Sequence, residues 1–328
     1  MDKKLSTTLS ENATLVRVVL GHPSGIKSDK SLKNDLAEDV KSNADLLSVS
    51  KHIFGRNVNK EFRSIINGFR NDFYYPLTLP WSDSSDDNGV KVGSGWRLLP
   101  NSNYDKLIAE INSAQLVWNR EVEGFFKQLP IDIANAKDRL GDAFNEADYP
   151  TDDWDLQRLR DKFIFQYETN VLPSVGNKDI RLNVSDELRQ RLERDAVNRA
   201  STNIKNILVT TVDALVSQVD HLAEKLKAYD PENKQKGFFN NSSIEKLRQA
   251  VEMLPSVNSD ILGNDQAISD AHQQLVSVLA SINSVESLRD ETELGESKRK
   301  QVAEGLEQSV GGLKGGFLER AFGGKKND

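Results

Sequence analysis

Across 328 residues the chain carries 37% hydrophobic and 28% charged positions, with a net charge of −7 and a pI of about 5.4. The balance is too apolar for a wholly disordered chain, and the acidic surplus excludes a global polyanion-binding surface. The absence of cysteine excludes disulfides and thiolate metal sites.

At about 100–200 residues per domain the length predicts two or three folding units. Residues 13–21 read as one strand, rich in β-branched side chains and stopped at Gly21-His22-Pro23. Arg17 interrupts its apolar run, and no stretch approaches the ~18 apolar residues of a membrane span, so a cytoplasmic location without membrane contact is expected. Residues 29–47 carry Leu32, Leu36 and Val40 at helical spacing. Residues 59–75 form a helix with Phe62, Ile65, Ile66, Phe69 and Phe73 on one face, ended by Pro76. Residues 76–100 read as a loop punctuated by Pro, Gly, Ser and Asp, longer than the ~12–15 residues of structureless connections. Trp81 and Trp96 are expected to be buried and to pin its ends.

A helix spans residues 102–129, with Tyr104, Leu107, Ile108, Ile111, Leu116, Trp118, Val122 and Phe125 in its stripe and Pro130 closing it. Shorter helices cover 131–143 and 152–160. Phe163, Phe165 and Tyr167 then recur at period two, as do Ile180, Leu182 and Val184, which predicts an antiparallel hairpin. Val16, Val18 and Leu20 add a third strand. From Ser185, an N-cap, one helix runs without a breaker to Tyr229, about 67 Å at 1.5 Å per residue. Within it Leu208, Val212, Leu215, Val219, Leu222, Leu226 and Tyr229 alternate spacings of four and three, the pattern of a coiled-coil seam. Residues 244–254 and 265–290 give two more helices, the first stopped by Pro255 and the second folding back on the long helix. The rest is polar and then glycine-rich, and reads as a flexible tail.

The expected fold is mainly α: an elongated helical bundle with a long coiled-coil-like helix and a small antiparallel β-hairpin. Four consecutive regions are expected, 1–100, 101–184, 185–290 and 291–328.

No catalytic, metal or cofactor residue is assigned. His22, His52, His221 and His272 fall outside H-E-x-x-H, and none has a glutamate three residues upstream. The acidic residues 83–89 have the wrong ligand spacing for calcium, with Ser94 at the twelfth position. Asn177-Lys178-Asp179 is one residue short of a guanine-reading motif, and no phosphate loop accompanies it. A serine nucleophile elbow is absent, and Asp152, Asp153 and Asp155 sit where carboxylates favour a helix start. A non-enzymatic protein is therefore expected.

One local patch departs from the acidic whole. Residues 51–75 hold Lys51, Arg56, Lys60, Arg63 and Arg70, a net +3, interleaved with Phe54, Phe62, Phe69, Phe73, Tyr74 and Tyr75. Cations with aromatic faces are what single-stranded nucleic acid requires. The helical spacing of the phenylalanines supports the competing reading, a buried helix face.

Three stretches form a recognisable series: LTLPWSD (77–83) with RLLP (97–100) and Tyr104; RLGDAFN (139–145) with DYP (148–150); and LRDKFIF (159–165). Together they resemble an uncharacterised family of tailed-bacteriophage proteins over about residues 13–260. The resemblance implies a phage protein made in the host bacterial cytoplasm and carries over no catalytic residue. The insertion 83–95 and the glycine-rich tail depart from the family pattern.

These readings give an accessory protein that self-associates or binds a protein partner through helical surfaces, above all the 208–229 seam. The alternatives are a single-stranded nucleic-acid-associated protein using residues 51–75, and an inhibitor or adaptor of a host protein using the acidic loop 83–95.

Overall fold

A computed structural model describes residues 11–54, 56–81, 84–85, 91–92, 95–172, 186–231, 233 and 236–314. In chain order the elements are β1 (Ala13–Gly21), β2 (Ile26–Ser28), α1 (Lys30–Asp39), β3 (Ser50–His52), α2 (Arg56–Phe69), α3 (Tyr75–Leu77), β4 (Leu79–Pro80), β5 (Ser84–Ser85), β6 (Lys91–Val92) and β7 (Arg97–Pro100). There follow α4 (Tyr104–Leu140), α5 (Asp153–Arg160), β8 (Ile164–Val171), α6 (Asp186–Ala228), α7 (Asn241–Val257), α8 (Gln266–Ala280), α9 (Val285–Leu288) and α10 (Glu293–Ser309). The protein is mainly α-helical with a small antiparallel sheet in the order β4-β7-β1-β8. Leu15 of β1 lies opposite Leu98 of β7, and Leu79 of β4 opposite the same Leu98.

The chain divides into two units, neither continuous in sequence: Met1–Arg17 with Tyr75–Asp105 and Thr169–Asp328, and Val18–Tyr74 with Lys106–Glu168.

In the first unit, Val212, Leu215, Val219, Leu222 and Leu226 of α6 pack with Leu247, Val251 and Leu254 of α7, Leu275 and Leu279 of α8, and Val302 and Leu306 of α10. Each such side chain contributes roughly 1.5–3 kcal/mol by leaving water. Gly305 lets α10 approach α8, since a Cβ there would stand 2.9 Å from Val278 Cγ2. Arg299 is buried in α10 and satisfies itself on backbone: Nη1 donates to the carbonyls of Leu288 and Asp290, each at 2.9 Å, and the guanidinium lies over the Tyr229 ring. A second cluster joins Leu15, Leu79, Trp81 and Leu98 to Ile204, Leu208, Met253 and Ile261.

The second unit has an aromatic core. Phe62, Ile66 and Phe69 on α2 face inward. The Phe62 ring meets those of Trp118 and Phe163 at 5.1 and 5.0 Å, and Phe125 meets Phe163 at 5.1 Å. These edge-on and tilted contacts suit ring quadrupoles.

Several sequence expectations are corrected. Residues 29–47 form only the shorter helix α1 and a 3₁₀ turn, Ala44–Leu46. Pro130 does not close a helix but sits inside α4, where Leu129 and Ala136 on either side are buried. Pro255 likewise sits inside α7, which continues as a π-helical turn, Asn258–Leu262. In each case the packing of apolar neighbours outweighs one lost backbone bond. The expected helix 265–290 is broken between α8 and α9 by Ser284, whose hydroxyl caps α9. The 76–100 loop supplies β4 and β7 to the sheet; Trp81 is buried, whereas Trp96 is half-buried beneath Arg17. The stretch 291–310 is no tail, because α10 buries Val302, Ala303 and Leu306. Val16 and Val18 lie in β1, which neighbours β8. The second strand of the expected hairpin, 180–184, the cap Ser185 and the tail beyond 314 lie outside the described residues.

Candidate functional site

The residues singled out for association are placed inside the chain's own core. Leu208 is fully buried, Val212, Leu215, Val219, Leu222 and Leu226 are at most 3% exposed, and Tyr229 is half-buried against Phe239. The stripe is buried, and α10 and α7 pack against α6 to cover it. A stripe reveals that a helix face is buried, not whether its cover belongs to the same chain.

The basic-aromatic segment comes apart in the same way. Phe54, Phe62, Phe69 and Tyr74 are buried in the aromatic core, so their faces are not open to bases. Tyr75 is exposed on one side and carries the Arg97 guanidinium 4.8 Å from its ring centre. Lys60 and Arg63 are exposed and line a shallow cleft with Asn59 and Asn67; Arg70 is half-buried. The side chain of Arg56 and the greater part of the 83–95 loop lie outside the described residues.

Lys51 belongs to an ion network. Its Nζ stands 2.9 Å from Asp29 Oδ2 and 2.9 Å from Asp148 Oδ2, and donates to the Ala143 carbonyl at 2.7 Å. The ammonium thus sits between two carboxylates and a backbone carbonyl. Lys27 closes the network on the other oxygen of Asp148, at 2.6 Å. Asp29 has a second duty: its Oδ1 accepts from the amides of Ser31 and Leu32, each at 3.1 Å, and so caps α1. Hydrogen bonding to Asp148 raises the Lys51 ammonium above its usual range against the effect of burial. Burial pushes the Asp148 carboxyl up, but Lys27 and Lys51 outweigh it and the net shift is downward. The Asp29 carboxyl is lowered, chiefly by its hydrogen bond with Lys51. Burial and the adjacent Asp148 raise the Tyr149 phenol.

This network fixes the start of a helix that leaves two leucines exposed. On α1, Ala37 turns inward, while Leu32 and Leu36 of the helix and its C-cap residue Val40 are 36%, 42% and 56% exposed. Leu46, in the following 3₁₀ turn, is 81% exposed. Asp35 and Asp39 lie three residues after Leu32 and Leu36 and edge the row with negative charge. The periodicity of this row was legible in the sequence; its exposure was not. Beside the network an open cleft of about 590 Å³ runs between residues 23–27, residues 147–150 and the end of α5. Sequence reading missed it, since no single segment carries its pattern.

Among the described residues no group of three or more His, Asp or Glu side chains is placed to hold a metal ion. Among the described residues no helix is long and apolar enough to cross a membrane. No family model matches the chain, and no curated protein or solved structure matches it.

Proposed function

We propose that the chain is a non-enzymatic accessory protein of a tailed bacteriophage, working in the host cytoplasm, that binds a protein partner through the outer face of α1. The phage setting rests on the T-L-P-W, R-L-L-P and D-Y-P series. The binding role rests on one observation, the exposed row of Leu32, Leu36 and the C-cap residue Val40 along a helix anchored by Asp29 and the Lys51 network. An anchored helix with an apolar row is suited to pairing with an amphipathic helix. Asp35 and Asp39 along its edge select a partner helix flanked by lysine or arginine. Self-association through the 208–229 seam is not part of the proposal, because that seam is filled from within.

A photo-crosslinking phenylalanine analogue placed at Leu36 or Val40 tests it. The expected product joins the full chain to one basic amphipathic segment and disappears on Asp35→Lys with Asp39→Lys. Equal yield from Asn34, on the far side of the helix, or indifference to the charge reversal overturns the reading. A product with a second copy of the chain replaces it by self-association.

A further inference from the structure

We propose that the cleft beside the Lys51 network is a binding site for a small amphiphilic anion, an apolar body carrying one carboxylate, sulfonate or phosphate head. Its volume, about 590 Å³, falls in the range of ligand sites, roughly 300–1,000 Å³. Its wall combines two chemistries. Phe54, Leu159 and Tyr149 supply buried apolar surface, and Arg158 on α5 and Lys162, two residues past its end, stand at the rim. Both cations are exposed, and neither makes an ion pair or hydrogen bond among the described residues.

The acids nearby do not cancel them. Asp148 is held by Lys27 and Lys51 together, and Asp29 by Lys51, so these four groups are neutral as a set. Asp155 is the other cleft carboxylate, and it accepts from the Thr151 hydroxyl at 3.3 Å. Arg158 and Lys162 therefore leave the rim with a cationic surplus. A guanidinium presents paired donors to a planar or tetrahedral anion, and a lysine adds a point charge. Tyr149 contributes a further feature. It is 5% exposed, and its hydroxyl has no hydrogen-bond partner among the described residues. Burial keeps that hydroxyl protonated, so it is a donor and not a competing anion. An apolar molecule with no head would leave this donor and the rim unused, and a bare ion would leave Phe54 and Leu159 uncovered.

The test uses the full chain and anilinonaphthalene sulfonate, a fluorescent sulfonate with an apolar ring system. One saturable site is expected. Arg158→Glu with Lys162→Glu should weaken it by at least about tenfold, the equivalent of ~1.4 kcal/mol. Both side chains are exposed, so unfolding is not expected, and circular dichroism checks this. Arg158→Lys with Lys162→Arg should retain binding. Octanoate should displace the probe at concentrations where inorganic phosphate does not. The assignment is overturned by the absence of a saturable site, by binding indifferent to the double reversal, or by displacement with phosphate alone. It is also overturned if Leu36→Asp abolishes the signal, because the probe would then sit on α1.

Discussion

Lys51 Nζ lies 2.9 Å from Asp148 Oδ2, with side chains only 10% and 5% exposed, although the two residues stand in different segments of the second unit. Removing one partner leaves the other as an uncompensated charge in a poorly hydrated place. Breaking a fully enclosed pair costs about 3–5 kcal/mol; here the adjacent cleft admits water, so Lys51→Met should cost on the order of 2 kcal/mol. Denaturant unfolding of the variant measures this. Adding Asp148→Asn should recover part of the loss, because the orphaned carboxylate is then gone.

The same network sets a dependence on pH. Asp29 and Asp148 have folded pKa values below the ordinary 3.8. Their contribution is therefore present above about pH 4 and is lost as pH falls through the lowered folded values. Lys51 is raised above 10.5, so its contribution is present below that value and is lost as pH rises through the folded one. Protection of the Ser31 and Leu32 amides, both capped by Asp29, should be lost in acid before the first unit changes. Unchanged protection there down to global unfolding would contradict this.

Two leucines at helical spacing should behave oppositely. Leu222 is 3% exposed within the filled seam, and Leu222→Ala should cost about 2–5 kcal/mol. Leu36 is 42% exposed, and Leu36→Asp should change stability by no more than about 0.5 kcal/mol. Paired denaturation curves decide. A stable, fully helical Leu222→Ala chain would mean that the seam is not the core of its unit.

Gly237 has φ +68°, and a Cβ there would stand 2.4 Å from the Tyr229 amide nitrogen. This glycine returns the chain from the end of α6 toward α7, and no rotamer relieves a clash with backbone. Gly237→Ala should destabilise by more than about 1 kcal/mol, since both the dihedral and the contact oppose it. A thermal melt compared with Gly312→Ala, where a Cβ meets nothing within 4 Å, isolates the effect.

Period was legible in the sequence, whereas occupancy was not. The 208–229 alternation located a buried face correctly, and Phe62, Ile66 and Phe69 on α2 did the same. What covered each face was invisible, because α10 offers Val302, Ala303 and Leu306 among many Glu and Lys and looks like solvated chain. Pro130 and Pro255 carry the signature of helix stops, yet buried neighbours on both sides hold the helix through each. Lys51 and Arg63 looked alike as cations; one is enclosed by two carboxylates and the other is exposed. The cleft draws on β2, the β3–α2 connection, residues 147–150 and α5, and no local pattern announces a site assembled from four places.

The discontinuity of the two units has a consequence for biosynthesis. Everything in Val18–Tyr74 and Lys106–Glu168 has been translated before α6 begins. That unit can form while the remainder is still being made. Ala13 and Leu15 belong with Ile204, Met253 and Ile261, so the first strand of the chain waits for some of the last-made helices. Nascent chains that have brought Glu168 but not α6 out of the ribosome should therefore hold a finished aromatic core, with Ala13, Leu15, Leu79 and Trp81 still lacking their cover, a window in which a chaperone or an early-binding ligand has its best access.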